Sequence, residues 1–392
     1  MPSLCVFPGG SLADLYAKGE LRRDYYNPEN IFDRIDFITF CDKEKEASMP
    51  MEKFRVTTGR AKVKIHALGR LTPFNLISKR KQTLEKLWQI SPDVVRLYNP
   101  FLSSYCGAYA AKKMELPIVT SLHINPDLDM RKYFFENGDL PNLLRYTPSR
   151  WFLEKFVLHN SDEVIGVYKF IRPYAKSMGA KNFTLIYNRV YARQFSKKNA
   201  GRKTGKKVKN RMGNLPVIIT VGRLTPQKNQ QVLIRALQGL DARMVLIGKG
   251  PSEERLKRLA EQLGVANRVE FIPSVLNSEL QQYYWKADIF ATAVLQGGVG
   301  IPTIEAMAAG LPIVAVRPPI DPRPEVASEV GLMVNDDPGE FREAFKKILG
   351  DARFRESLVR KSGREFSQME GRKMETREAG IYKRVLRFKG KG

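Results

Sequence analysis

The sequence is poor in the residues that build disulfide frameworks, zinc sites and membrane spans. Its 392 residues include three cysteines, Cys5, Cys41 and Cys106. They are too few and too scattered for a disulfide framework or a zinc site, and they fit a reducing compartment. No apolar run approaches about 18 residues, so no membrane-spanning helix is expected. No basic segment precedes a long apolar stretch at the N-terminus, so no signal peptide is expected either. The expected location is cytoplasmic, with peripheral attachment to the inner face of a membrane as an option. Histidine is scarce too, three in all. His66 alternates with apolar neighbours and reads as a structural strand residue. His159 ends a helix, where a partly positive ring suits the dipole. His123 stands at the end of a strand, where a structural role is the ordinary reading.

What is present is positive charge and apolar residues. The formal charge is +25 and the pI about 9.9. That points to an anionic partner, whether a nucleotide sugar, an anionic lipid, a polyanionic glycan or nucleic acid. At 43% hydrophobic, the chain can build proper cores, and its length suits about two or three domains. Lys197 to Arg211 carries eight cations and no acidic residue, with sparse apolar residues. This is a linker by composition, and an anionic membrane surface is a candidate partner for it.

Either side of the linker, short apolar strands alternate with helical spacing. In the first half, strands are expected at Leu4–Phe7, Ile35–Phe40, Phe54–Val56, Val63–His66, Pro92–Leu97, Pro117–Leu122, Asp162–Val167 and Phe183–Ile186. The second half restarts at Pro216–Val221 and continues through Met244–Ile247, Val269–Ile272, Asp288–Phe290 and Gly331–Val334. Such alternation signals parallel, doubly wound sheets, in which ligands sit beyond the strand C-termini. Gly9-Gly10, between the first strand and first helix, admits a phosphate or a sugar, or simply makes a tight turn. Asp127-Leu128-Asp129 lies in what reads as an extended polar loop. Paired aspartates can hold a divalent metal, yet no other ligand cluster lies nearby. Gly248-Lys249-Gly250 follows a strand but lacks the third glycine of a dinucleotide fingerprint.

The most informative stretch is Gly298-Val299-Gly300-Ile301-Pro302-Thr303-Ile304-Glu305-Ala306-Met307-Ala308-Ala309-Gly310. It reads as a glycine loop opening a helix. Glycines let the backbone approach a ligand, Pro302 suits the first turn, and the helix start favours a phosphate or sugar oxygen. Glu305, one turn in, is a natural acceptor for paired hydroxyls. Gly310 fits the helix C-terminus.

With Gly222-Arg223-Leu224-Thr225-Pro226-Gln227-Lys228-Asn229, Gly248-x-Gly250-Pro251, Arg268-Val269-x-Phe271, Glu279-Leu280-x-x-Tyr283-Tyr284 and Glu305 to Pro312 in this order, the chain resembles retaining nucleotide-sugar glycosyltransferases of family 4. The first half adds Pro92-Asp93-Val94-Val95, Pro117-Ile118-Val119-Thr120 with His123, and Ile186-Tyr187-Asn188. The resemblance implies an α/β protein of two Rossmann-like doubly wound domains, the GT-B fold, facing a central cleft. Its expected parts are an acceptor-binding domain over 1–195, a basic linker over 196–213, a nucleotide-sugar-binding domain over 214–370, and a helix over 371–392 that packs back on the first domain.

It further implies that Arg223 and Lys228 hold the donor diphosphate and that Glu305 binds the ribose hydroxyls. His123 would meet the donor sugar near its anomeric carbon, and Gly10 would lie near the donor. Gly298, Val299 and Gly300 would offer N–H groups to the sugar. No metal and no cofactor are expected, the nucleotide sugar being a substrate. The implied reaction is transfer of a hexosyl group, UDP- or GDP-linked, to a hydroxyl of a lipid-linked or polymeric glycan. In one position the chain departs from the family, which carries a second glutamate eight positions before Glu305. Gly297 stands there, beside Gln296. Two other readings stay open: a DNA-modifying glycosyltransferase, which the charge suits although nucleic acid is not the expected partner, and a non-catalytic binding or scaffold subunit.

Overall fold

The computed structural model describes residues 2–17, 23–136, 138–195, 215–295, 299–317 and 331–389. The basic linker, together with Gln296, Gly297 and Gly298, lies outside the described residues. The chain divides into two compact units, Met1–Tyr187 with Met374–Gly392, and Asn188–Lys373.

In the first unit, β1 (Ser3–Phe7), β2 (Arg34–Thr39), β3 (Lys62–Ala67), β4 (Val94–Tyr98), β5 (Ile118–Leu122), β6 (Glu163–Gly166) and β7 (Phe183–Leu185) form a parallel sheet of order β3-β2-β1-β4-β5-β6-β7. The central strands are buried on both faces, which is why they read as near-continuous apolar runs. One face lays Cys5, Phe7, Val95, Leu97, Ile118 and Leu122 into a core shared with the helices Leu76–Ile90, Leu102–Lys113 and Lys155–His159. Alternation sends Arg96 and Ser121 to the opposite face. There the helix Gly371–Lys389 supplies Glu378 and Tyr382 to Arg96. Tyr382 packs edge-on against Phe32, with ring centroids 5.0 Å apart. Glu29 accepts from Thr376 at 2.7 Å and Lys383 at 2.8 Å. His66 lies on the edge strand β3, with Nε2 2.8 Å from the Asp36 carboxylate.

Two expectations for this unit fail. Phe54–Val56 is not a strand. Met51–Phe54 is helical and runs into a 3-10 turn at Arg55–Thr57, with Phe54 buried against the rings of Tyr26 and Phe37. An apolar run this short has no period to separate strand from helix. Nor is Asp127–Asp129 extended. It opens a π-helical turn, Asp127–Lys132, in which Asp127 pairs with Arg131, four residues on, and with Arg150 at 3.0 Å. Two guanidiniums neutralise that carboxylate, while Asp129 accepts from the Asn125 N–H at 2.6 Å.

In the second unit, β8 (Val217–Val221), β9 (Arg243–Ile247), β10 (Val269–Ile272), β11 (Ile289–Thr292), β12 (Ile313–Val316) and β13 (Gly331–Val334) form a parallel sheet of order β10-β9-β8-β11-β12-β13. Its core joins Ile218, Met244, Leu246, Ile289 and Val314 to Leu233, Leu256, Phe341 and Phe345 on the surrounding helices. Asp337 and Asp351 fix the starts of Pro338–Gly350 and Ala352–Met369 by accepting from the N–H groups of Glu340 and Phe354. The segment just after Tyr187 belongs here as well. Val190 bridges Glu370, and the Phe195 carbonyl accepts from Trp285 Nε1 at 2.8 Å.

Candidate functional site

Each sheet reverses its strand order once, between β8 and β11 in the second unit and between β1 and β4 in the first. Loops beyond the C-terminal ends of the strands at such a point form a binding crevice.

In the second unit, β8 leads into Gly222–Asn229. Arg223 is exposed on this loop, and Lys228 ends the 3-10 turn Pro226–Lys228. Asn229 then takes a left-handed conformation, φ 47°, and its side chain donates to Asp336 at 2.6 Å. The buried Gln230 donates from Nε2 to the Arg223 carbonyl at 2.9 Å. Beneath lies the loop after β9. A Cβ on Gly248 would fall 2.0 Å from the Gly222 carbonyl oxygen, and one on Gly250 would fall 2.1 Å from that of Leu224. These two glycines therefore let one loop carry the other, and Leu224 N–H donates to the Lys249 carbonyl at 2.9 Å across the contact. The two glycines of this Gly-x-Gly, which lacks the third glycine of a dinucleotide fingerprint, serve a close approach of backbone to backbone.

Across the switch point, β11 leads to Val299, Gly300 and the helix Ile301–Ala308. Gly300 is its N-cap and Pro302 sits in its first turn. Glu305 is buried, and its Oε2 accepts from the Tyr284 hydroxyl at 3.1 Å. Burial and the neighbouring Glu305 hold the Tyr284 phenol well above its ordinary pKa, so it stays a donor. Gly310 caps the helix at φ 77°. Arg223, Lys228, Val299, Gly300 and Glu305 thus stand on the loops and the first turns of the helix at one switch point of one unit. Tyr284, which orients Glu305, had no role assigned from sequence, although the Tyr283-Tyr284 pair marked its place.

His123 and Gly10 belong to the first unit. Gly9 adopts φ 77° against the Tyr98 carbonyl, 3.0 Å from where a Cβ would sit, whereas a Cβ on Gly10 would meet nothing within 4 Å. The following helix start is not open to a phosphate. The buried Glu46 carboxylate already accepts from the N–H groups of Leu12 at 3.0 Å and Ala13 at 3.3 Å, and the Cys41 thiol lies 2.7 Å from its Oε1.

His123 follows β5 and donates its backbone N–H to Asn99 Oδ1 at 2.9 Å. Its ring stacks on Tyr98, centroids 5.5 Å apart at 25°, and Nε2 lies 3.4 Å from the Tyr25 hydroxyl. Behind Tyr98, the buried Arg96 guanidinium stands 5.0 Å from the ring, gives Nη2 to Ser121 at 2.7 Å, and pairs with Glu378 and Tyr382. Burial first, then the Arg96 charge, lower the His123 pKa to about 4 against a smaller opposing effect of Glu378. The imidazole is neutral at physiological pH and suited to hydrogen bonding rather than to bearing charge.

Two family models match consecutive parts of the chain: Glycosyltransferase Family 4 over residues 34–192, and Glycosyl transferases group 1 over residues 201–365. The chain is 34% identical over 152 residues to the GDP-mannose-dependent alpha-(1-6)-phosphatidylinositol monomannoside mannosyltransferase of Mycolicibacterium smegmatis, a match covering 36% of this chain and 39% of the relative. It is 25% identical over 293 residues to the sulfoquinovosyl transferase SQD2 of Arabidopsis thaliana, covering 72% of this chain and 54% of that one. These matches thus span about two fifths and about half of the relatives' lengths. Among solved structures, Anabaena HepE in complex with UDP superposes with a TM-score of 0.72 at 17% identity, covering 98% of this chain and 100% of that one. A sucrose-phosphate synthase from Thermosynechococcus elongatus gives 0.72 at 16% identity, covering 98% and 99%. With its pair of parallel-sheet α/β units the chain has the GT-B fold, and its two halves are similar to the Glycosyltransferase Family 4 and Glycosyl transferases group 1 models.

Proposed function

We propose that the chain is a retaining, metal-independent transferase that moves a hexosyl group from a UDP- or GDP-linked sugar to a hydroxyl of a lipid-linked or polymeric glycan. The observation that carries this reading is the cationic loop Gly222–Asn229 at the switch point of the second sheet, inside the stretch matched by the glycosyltransferase group 1 model. Departure of a nucleoside diphosphate builds negative charge, and fixed cations there stabilise the transition state. Arg223 and Lys228 would take that role, with Glu305, oriented by Tyr284, accepting the ribose hydroxyls. His123, neutral and stacked on Tyr98, would hydrogen-bond the transferred sugar. Relatives named for GDP-mannose and a neighbour holding UDP support a nucleoside diphosphate sugar as donor.

Gly297 would leave the sugar's outer hydroxyls to backbone N–H groups, so Gly297→Glu should sharpen donor selectivity. A thermal-shift screen over nucleotide sugars is the first test, since a ligand at 100 times its Kd adds about 2.7 kcal/mol. Incubation with the selected donor and glycan acceptors should then give a product of the donor's anomeric configuration, in EDTA as well as without it. No shift and no transfer with any donor would overturn the reading. An inverted product, or activity lost in EDTA and restored by Mg²⁺ or Mn²⁺, would overturn its retaining or its metal-independent part.

A further inference from the structure

One helical run in the first unit is built inside out on its outer side. Leu140–Ser149 continues through the π-helical turn Arg150–Glu154 into Lys155–His159 without leaving helical conformation. Its inner side buries Val157 and Leu158 in the sheet core. Its outer side carries Leu140, Leu144, Trp151 and Phe152, which are 61%, 72%, 64% and 73% exposed. Phe135, 72% exposed, stands on the preceding helix Tyr133–Glu136, which packs on the run. Single exposed apolar residues are ordinary, but a group this size on neighbouring helical turns marks an interaction surface.

Charge says what covers it. The run contains Arg145, Arg150 and Lys155 and a single carboxylate, Glu154. Glu154 is fully buried, where it accepts from Arg131 at 2.8 Å, from Ser149 at 2.5 Å and from Tyr174. Arg150 is held by Asp127, leaving Arg145 and Lys155 exposed. The run therefore offers the solvent large apolar groups and positive charge, and none of its own negative charge. A second copy docked symmetrically on this face would set these cations against themselves. A bilayer interface meets both features at once, taking Trp and Leu side chains at headgroup depth and lipid phosphates against Arg and Lys.

We propose that this face seats the protein on an anionic bilayer, with Leu140, Leu144, Trp151 and Phe152 in the headgroup region and Arg145 and Lys155 against lipid phosphates. The contact stands apart from the transferase reading and is tested without turnover. The full chain is floated with vesicles of phosphatidylcholine alone and of equimolar phosphatidylcholine and phosphatidylglycerol. The wild type should bind the mixed vesicles and much less the neutral ones. The double variant Trp151→Ser/Phe152→Ser should lose at least ten-fold in partitioning at an unchanged Tm. Arg145→Gln/Lys155→Gln should lose about thirty-fold at low salt, with little effect at high salt. Should the aromatic variant fail to fold, Leu140→Gln/Leu144→Gln carries the same expectation. Wild-type partitioning in folded variants, or no wild-type binding to the mixed vesicles, overturns the proposal. So does a wild-type dimer in sedimentation that Trp151→Ser/Phe152→Ser abolishes, since the face would then belong to a second copy.

Discussion

Arg223 offers a planar fork and Lys228 a point charge, so neither replaces the other. Arg223→Ala and Lys228→Ala should each lower kcat/KM by about 10²–10³-fold, the usual scale for losing one charge-stabilising group. Steady-state assays on folded variants check this, and near wild-type turnover in both would remove the donor site from this loop. At His123 the expectation concerns a proton. The folded pKa, about 4, lies below the unfolded value of about 6.5, so between the two the unfolded chain binds more protons. The neutral ring's contribution to stability is complete above about pH 6.5 and declines as the pH falls toward 4. Glu378→Gln removes the carboxylate that favours protonation and should move the titration further down, which NMR of the imidazole protons would report. The placement of Arg223 and Lys228 on the loop after one strand, and of Val299, Gly300 and Glu305 at the start of a helix, was legible in the sequence because glycines and prolines punctuate those strand–loop–helix units. Glu46 at the helix start and Tyr284 on Glu305 were not, because those bonds join residues 34 and 21 positions apart on different elements.

Among elements, the loops stacked at the ends of β8 and β9 tolerate little. Gly248 combines φ 150° with a Cβ position 2.0 Å from a carbonyl oxygen, so Gly248→Ala forces the Gly222–Leu224 backbone away. Overpacking of this kind costs about 1–3 kcal/mol, and donor affinity should fall with stability. Gly363 makes the opposite case. It lies inside the helix Ala352–Met369 with nothing within 4 Å of an added Cβ, so Gly363→Ala should stabilise by about 0.5–1 kcal/mol. Thermal melts of the two variants, one falling and one rising, check both. The parallel sheets were readable because buried strands give apolar runs that helical spacing separates. Phe54–Val56 and Asp127–Asp129 were misread because a three-residue run carries no period, and only the contacts with Tyr26 and Phe37 or with Arg131 and Arg150 decide its conformation.

At the scale of the whole molecule, the first unit depends on residues from both ends of the numbering. Arg96 and Glu378 are both under a tenth exposed. Glu378→Ala leaves the guanidinium buried without its partner, which should destabilise by about 3–5 kcal/mol. Glu343→Ala, which breaks the exposed pair with Lys346, should stay within about 1 kcal/mol. Chemical denaturation of the two variants measures the contrast. Composition and alternation announced two α/β halves, but not that β4 would bury an arginine, since a charge within Val94-Val95-Arg96-Leu97-Tyr98 has no local partner.

Chain order turns that ion pair into a matter of timing. Residues 188–373 leave the ribosome before Glu378 does, and at ~5–20 residues per second their synthesis takes roughly ten to forty seconds. Throughout that interval Arg96 has no Glu378 to pair with, and Phe32 has no Tyr382 to pack against. The second unit needs nothing beyond Lys373. The unit that comes first in the numbering is therefore completed only after the second unit has been made.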